Sequence, residues 1–170
     1  MKNPIQILSD IIKENKIDLS FNIIEIGAVQ IADTQEPFYQ LLDYFPSSNI
    51  IGFELEQEVC SKMNANAKKG VKYYPYALGK ANEKRKLYIT QNPMCSSLYK
   101  PNEELIKLYN RFEVAYLKEE TEINTITLDH FIEQKKIGEI DFIKIDVQGA
   151  ELNVFQGGKK TLENVLKIVT

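Results

Sequence analysis

The sequence predicts an α/β fold in which helices cover both faces of a doubly wound, mostly parallel sheet. Short apolar segments alternate with amphipathic ones, which is the pattern of strands joined by crossover helices. The apolar run at residues 141–147 is dense enough for a strand that is covered on both faces. Three predicted strands end near Glu25, Glu54 or Asp146, and ligands of such sheets bind beyond the carboxyl ends of the strands.

The first half of the chain predicts helices and strands in regular alternation. Asn3 and Pro4 favour the start of a leading helix, since Asn caps helices well and Pro suits the first helical position. Gly70 marks the end of the third helix. The predicted elements are a helix at residues 4–15, a strand at 21–28, a helix at 36–45, a strand at 49–54, a helix at 56–68 and a strand at 71–79.

The second half interrupts this alternation and then returns to it. Leu87 and Ile89 alternate with polar residues in an added strand, and Gly157-Gly158 predicts the end of the last helix. The predicted elements are a strand at residues 85–90, a short helix at 103–109, a strand at 122–128, a helix at 128–135, a strand at 141–147, a helix at 150–156 and a strand at 165–170.

The chain stops inside its last predicted strand. We therefore expect a sheet that is truncated after its fifth main strand, with the remaining strands either missing or supplied by a partner chain. The exposed strand edge at this end would also suit a homodimer.

Length and composition favour one domain over residues 1–170, with a leading helix within residues 1–20. A net charge of −3 argues against nucleic-acid partners, and no stretch has the pattern of a membrane span or signal peptide. Cys60 and Cys95 are spaced for neither a metal site nor a disulfide framework. His130, the single histidine, is expected on a helix surface, and one histidine excludes a multi-histidine metal site. The sequence therefore predicts a cytoplasmic protein with reduced thiols and no metal.

The strand ends indicate a nucleoside ligand without a pyrophosphate. Gly27 allows a ligand to approach the backbone closely, and Glu54 is placed to accept hydrogen bonds from both hydroxyls of a ribose. The loop after Gly27 begins Ala28-Val29-Gln30, so it lacks the G-x-G-x-x-G that brings backbone amides against a pyrophosphate. S-adenosylmethionine fits this pattern, because carboxylates at Glu25 and Asp146 would favour its sulfonium.

Each of these residues also has a structural interpretation. Asp146 would cap the following helix, since Asp is preferred at helix N-termini. Glu25 lies inside an apolar strand, where either a structural partner or a ligand must offset the cost of a buried charge. Glu54 would be a solvated strand end. Tyr76 would either pack at the rim of the core or flank an adenine.

Residues 141–151 read DFIKIDVQGAE and closely resemble the signature of the FkbM-type family of S-adenosylmethionine-dependent methyltransferases. Supporting segments, in the same order and spacing, are residues 51–54, 76–79, 96–98 and 126–129. The resemblance covers residues 22–170 and implies a Rossmann-like class I methyltransferase fold. It also implies methylation of a hydroxyl on a small-molecule or glycan acceptor, such as a sugar or secondary metabolite, with S-adenosylhomocysteine as the second product.

The resemblance implies roles for residues at matching positions. Glu54 would hold the ribose, Asp146 would face the reactive methyl, Asp146 or Glu151 would act as the general base, and Ser97 would position the acceptor. The resemblance also implies a set of cofactor-binding residues. They follow the cofactor from its methionine side, through the ribose and the adenine, to the reactive methyl: Glu25, Gly27, Ala28, Glu54, Leu55, Tyr76, Ala77, Leu78 and Asp146.

The chain departs from the family pattern in its first loop and its length. Family members commonly have Gly-Ala-Asn followed by a second glycine where this chain has Gly27-Ala28-Val29-Gln30, although Asp33 and Glu36-Pro37 resemble the loop of a subgroup. Members also usually continue through two further strands. These departures leave open a non-catalytic nucleoside-binding or protein-interaction domain. An NAD-dependent oxidoreductase is disfavoured by the missing glycine pattern.

Overall fold

A computed structural model describes residues 3–28 and 36–170, so the predicted loop over residues 29–35 lies outside the described residues. The helices are α1 (Pro4–Glu14), α2 (Leu41–Tyr44), α3 (Gln57–Ala65), α4 (Glu103–Ile106), α5 (Leu128–Lys135), α6 (Glu151–Gly157) and α7 (Lys159–Leu162). The strands are β1 (Asn22–Ile26), β2 (Asn49–Phe53), β3 (Val71–Tyr74), β4 (Ala77–Leu78), β5 (Glu83–Thr90), β6 (Leu117–Ile126), β7 (Phe142–Ile145) and β8 (Lys167–Val169). None of the helices in these two ranges is long and apolar enough to cross a membrane.

The chain divides into two compact units, and the first consists of Met1–Pro75, Gly138–Lys144 and Asn164–Val169. Its five-stranded sheet has the order β3-β2-β1-β7-β8, and the β1–β2, β2–β3 and β7–β8 pairs are parallel. Flanking helices and this strand order confirm the predicted doubly wound α/β fold. β8 forms one edge of the sheet, as predicted for the last strand.

The core of the first unit is built on β1 and β2, because both strands are buried along nearly their whole length. Ile23 and Ile24 of β1 point to opposite faces of the sheet, yet each is at most 1% exposed. The Asn64 side chain fixes α3 against β3, since it donates to the Tyr73 carbonyl and accepts from the Tyr73 amide. These two hydrogen bonds hold the α3 helix beside β3.

The second unit contains Tyr76–Ile137 and Ile145–Glu163. Its sheet has the order β4-β6-β5, in which β4 pairs with β6 in parallel and β5 pairs with β6 antiparallel. The Thr127 hydroxyl accepts from the His130 amide and so caps α5, which buries Phe131 completely and leaves His130 exposed, as predicted.

The prediction of one strand over residues 71–79 is wrong. β3 ends at Tyr74, β4 begins at Ala77, and the two strands belong to different sheets. Pro75 accounts for the break, because proline has no amide hydrogen to donate to a strand ladder.

Other element boundaries differ from their predictions for local reasons. β6 starts at Leu117 instead of residue 122, because its charged residues lie on an exposed antiparallel ribbon where polar side chains are tolerated. α6 includes Gly157, and the helical turn α7 follows Gly158, so the predicted end of the helix marks only a break between two helices.

Candidate functional site

The turn after β1 places backbone amides at the end of β2. Gly27 has a φ of 79°, a conformation that favours glycine. The amides of Gly27 and Ala28 both donate to the Phe53 carbonyl, at 3.1 and 3.0 Å. The first unit therefore brings Gly27 and Ala28 beside the residue that precedes Glu54.

Glu25 has a structural partner within the first unit. Its side chain is 4% exposed, and its Oε2 accepts a hydrogen bond of 2.6 Å from the Tyr39 hydroxyl. The hydroxyls of Tyr39 and Tyr73 are 2.8 Å apart. Burial raises the pKa of Glu25, although the Tyr39 hydrogen bond and the nearby charge of Lys144 act in the opposite direction. Of the two explanations for a buried acid in β1, the structure shows the structural partner.

Lys144 of β7 contacts both Gly27 and Glu36, which follow β1 in the chain. Its Nζ lies 3.5 Å from the Gly27 carbonyl oxygen and 3.6 Å from Glu36 Oε1. The Lys144 side chain is only 18% exposed, so its charge is screened less than that of a surface lysine. This cation lies close enough to Glu25 to lower the pKa of that carboxyl.

Glu54 and Leu55 follow β2 directly, and both are half-buried. The Glu54 amide donates to the Tyr74 carbonyl, and its Oε1 accepts from the Glu56 amide at 2.9 Å. Burial raises the pKa of Glu54, and the hydrogen bond from Glu56 partly offsets that rise. Glu54 is therefore partly withdrawn from solvent. Its side chain is less exposed than the alternative interpretation, a solvated strand end, predicts.

The second unit contains the two candidate catalytic carboxylates, on a turn with two left-handed residues. Gln148 and Gly149 have φ values of 52° and 92°. Exposed Asp146 accepts from Gln148 Nε2 at 3.0 Å, and Glu151 accepts from the Gly149 amide at 3.1 Å. Ala150 occupies the N-cap position of α6, so the interpretation of Asp146 as that cap is wrong.

Ser97 supports the same turn from the neighbouring loop. Its hydroxyl donates to the Gln148 carbonyl at 2.7 Å and accepts from the Tyr99 amide at 3.1 Å. The side chain is 9% exposed. In the described structure the hydroxyl of Ser97 thus holds the backbone between the two carboxylates.

The predicted adenine-bordering residues lie at the start of the second unit. The Tyr76 ring packs edge-on against Phe131, with ring centroids 6.0 Å apart. Leu78 is 4% exposed, whereas Ala77 is half-buried. Tyr76 therefore packs at the rim of the core of the second unit, and Leu78 lies within that core.

The substitution Ser97→Ala is expected to lower the free energy of unfolding by about 1 kcal/mol, because the Gln148 carbonyl loses its donor. Thermal denaturation should show a melting temperature lower by about 2–4 °C. Ser61→Ala is the matched control, since the exposed Ser61 hydroxyl donates only to a carbonyl of its own helix. Equal melting temperatures for Ser97→Ala and Ser61→Ala would mean that Ser97 does not support the turn.

Sequence reasoning missed three residues of these clusters. Tyr39 could have been sought, because an acid inside an apolar strand requires a buried donor. Lys144 was visible as the polar position of a buried strand, but its partner was not. Nothing in the sequence pointed to Asn153. Its Oδ1 accepts a hydrogen bond from the Tyr99 hydroxyl at 3.3 Å. Among the described residues, its Nδ2 is the one buried side-chain nitrogen or oxygen without a hydrogen-bond partner.

Comparison with known proteins identifies the family. The sequence model of the methyltransferase FkbM domain matches residues 23–169, which include the described strands of both units except Asn22, the first residue of β1. No curated protein and no solved structure matches the chain. The match spans most of the chain and contains the DFIKIDVQGAE segment on which the sequence prediction depended. The chain belongs to the FkbM family of methyltransferases.

Proposed function

We propose that this protein binds S-adenosylmethionine and transfers its methyl group to a hydroxyl of a sugar, glycan or secondary metabolite. The observation that carries the proposal is the half-buried Glu54 carboxylate at the end of β2, beside the Gly27 turn. A carboxylate in that position can accept from both hydroxyls of a ribose. Family membership supports methyl transfer as the reaction class.

The first unit suits a nucleoside ligand better than a dinucleotide. The Glu54 carboxylate accepts from the backbone amides of Glu56 and Leu55, and its remaining lone pairs stay available for ribose hydroxyls. The amides of Gly27 and Ala28 are already bonded to Phe53, which removes them as donors to a pyrophosphate. Half-buried Gly27 and Leu55 would contact the ligand, whereas buried Ala28 would support the turn and buried Glu25 would act mainly through its charge.

The catalytic roles are proposed for Asp146 and Glu151. When bound, S-adenosylmethionine supplies an electrophilic methyl group, and transfer requires the acceptor oxygen to align with that methyl. The acceptor hydroxyl also has to lose a proton. We propose that exposed Asp146 accepts it, and that Glu151 holds the turn through the Gly149 amide. Ser97 would then affect the acceptor indirectly, by holding this turn.

Several finer expectations belong to the same proposal. Tyr76, Ala77 and Leu78 would border the adenine, a second copy of the chain would pair along β8, and the protein would be cytoplasmic. A non-catalytic nucleoside-binding or protein-interaction domain is the alternative.

Calorimetric titration with S-adenosylmethionine tests the proposal. We expect Glu54→Gln to weaken binding about 10- to 100-fold, because charge-assisted hydrogen bonds to the ribose contribute about 1.5–3 kcal/mol. Glu58→Gln is the matched control, since Glu58 is an exposed carboxylate on α3.

The outcomes separate the alternatives. Binding by wild type and by Glu58→Gln, with the expected loss in Glu54→Gln, supports the assignment. No binding of the methyl donor by wild type at millimolar concentration would favour an interaction domain. Binding of NADH without binding of the methyl donor would favour an oxidoreductase.

A further inference from the structure

A buried hydrogen-bonded chain connects β3 to the acid of β1. Tyr39 donates to Glu25 Oε2 at 2.6 Å, so its oxygen is left to accept from the Tyr73 hydroxyl at 2.8 Å. Glu25, Tyr39 and Tyr73 are 4%, 2% and 4% exposed. Three polar groups at this depth are costly unless they bond to one another. The hydrogen bonds of this hydroxyl chain therefore run in one direction: the Tyr73 hydroxyl donates to Tyr39, and the Tyr39 hydroxyl donates to the Glu25 carboxylate.

The ionisation of Glu25 changes the net charge of the group of side chains around this hydroxyl chain. The described groups that influence its carboxyl are the Tyr39 hydroxyl, the Lys144 ammonium and the Glu36 carboxylate, and Tyr73 acts through Tyr39. Lys144 also lies 3.6 Å from Glu36. With Glu25 ionised, the two carboxylates and one ammonium sum to one negative charge. With Glu25 protonated, the same three groups sum to zero.

The hydroxyl chain favours the ionised form. Burial raises the pKa of Glu25, and the hydrogen bond from Tyr39 is the largest of the influences that oppose this rise. The Tyr73 hydroxyl strengthens the same bond by polarising Tyr39. Phenylalanine at either position would keep the aromatic packing and lose the donor. Packing alone therefore does not explain two adjacent buried hydroxyls.

We propose that Tyr39 and Tyr73 are positioning residues that keep Glu25 ionised at the end of β1, and that this charge promotes binding of a cationic methyl donor. The inference rests on the proposed function. The sulfonium and the methionine ammonium of S-adenosylmethionine are cations, and a buried carboxylate is weakly screened by salt. Binding should consequently weaken as the pH falls through the pKa of Glu25.

Two measurements on Tyr39→Phe, Tyr73→Phe and wild type test this inference. Carbon-13 NMR follows the Glu25 carboxyl, assigned with Glu25→Gln, between about pH 4 and about pH 9 without any ligand. Calorimetry gives the affinity for S-adenosylmethionine over the same range. Tyr44→Phe is the control, because Tyr44 lies on α2 in the same unit and does not belong to the hydroxyl chain of Tyr73, Tyr39 and Glu25.

In Tyr39→Phe we expect the Glu25 titration to move to higher pH. The loss of affinity for S-adenosylmethionine on acidification should therefore begin at a higher pH than in wild type, and the two proteins should bind equally at the alkaline end of the range, where Glu25 is ionised in both. Tyr73→Phe should shift both profiles in the same direction by a smaller amount. If Tyr39→Phe fails to fold, Tyr73→Phe still provides the test, because it keeps the bond from Tyr39 to Glu25.

Failure of this inference differs from failure of the proposed function. An unchanged Glu25 titration in both variants overturns the hydroxyl chain, even if wild type binds the methyl donor. A shifted titration with an unchanged pH profile of binding overturns the link between that charge and the ligand. Absence of binding by wild type at every pH overturns the proposed function and, with it, that same link.

Discussion

Gly157→Ala is expected to destabilise the second unit by about 3 kcal/mol. A Cβ at this position would overlap the carbonyl oxygen of Gly79 and come within 3.1 Å of its carbon. Both atoms belong to backbone, so no side-chain rotation relieves the overlap and α6 must move away from the end of β4. Thermal denaturation should show a melting temperature lower by about 6–12 °C.

Gly138→Ala provides the matched control for this effect. Its added Cβ would meet only Asn22 Nδ2, at an ordinary contact distance of 3.8 Å. We expect a change within about 0.5 kcal/mol for this variant. Melting temperatures for Gly157→Ala and Gly138→Ala that agree within experimental error would show that α6 does not require the close approach to Gly79.

The second large effect is expected on turnover. Asp146→Asn should lower kcat about 100-fold or more, which is the usual contribution of a general base. An amide at this position can still accept from Gln148 Nε2, so the turn should keep its conformation. The measurement is formation of S-adenosylhomocysteine with the hydroxyl acceptor that wild type methylates fastest in a panel of sugars, glycans and polyketide-like metabolites.

Two companion variants identify the base. Glu151→Gln can still accept from the Gly149 amide and should lose less activity than Asp146→Asn. Asp43→Asn changes an exposed carboxylate that pairs with exposed Lys68 at 3.7 Å, and should keep wild-type turnover. Full turnover in both Asp146→Asn and Glu151→Gln would rule out both carboxylates as the base.

The fold could be predicted from sequence wherever burial determines the pattern. β1 and β2 are apolar runs because parallel strands are covered on both faces, and the match between pattern and structure is close there. In β7 only Ile143 and Ile145 are buried, so that strand is less covered than its apolar run predicts. Prediction failed where one residue outweighs the pattern. Pro75 separates β3 from β4 within a run that otherwise resembles one strand.

The candidate site was predictable only as a set of positions along the chain. Periodicity places Glu25 and Glu54 at strand ends, but it contains no information on which side chain completes a buried hydrogen bond. Tyr39 reaches Glu25 from a 3-10 turn, and that pairing depends on tertiary packing. Ser97 was predicted to position an acceptor, whereas the structure shows its hydroxyl bonded to the Gln148 carbonyl, 51 residues later.

The order of segments in the first unit has a consequence for folding during synthesis. β1 begins at Asn22, but its neighbour β7 begins only at Phe142, after most of the second unit has been translated. β1 pairs with β2, and β2 with β3, over separations of 27 and 21 residues, whereas the antiparallel β5–β6 ribbon pairs residues that lie 27 to 42 positions apart. Local contacts form faster than distant ones. On the ribosome we therefore expect β1, β2 and β3 to pair first, while the other edge of β1 stays exposed to chaperones until β7 emerges.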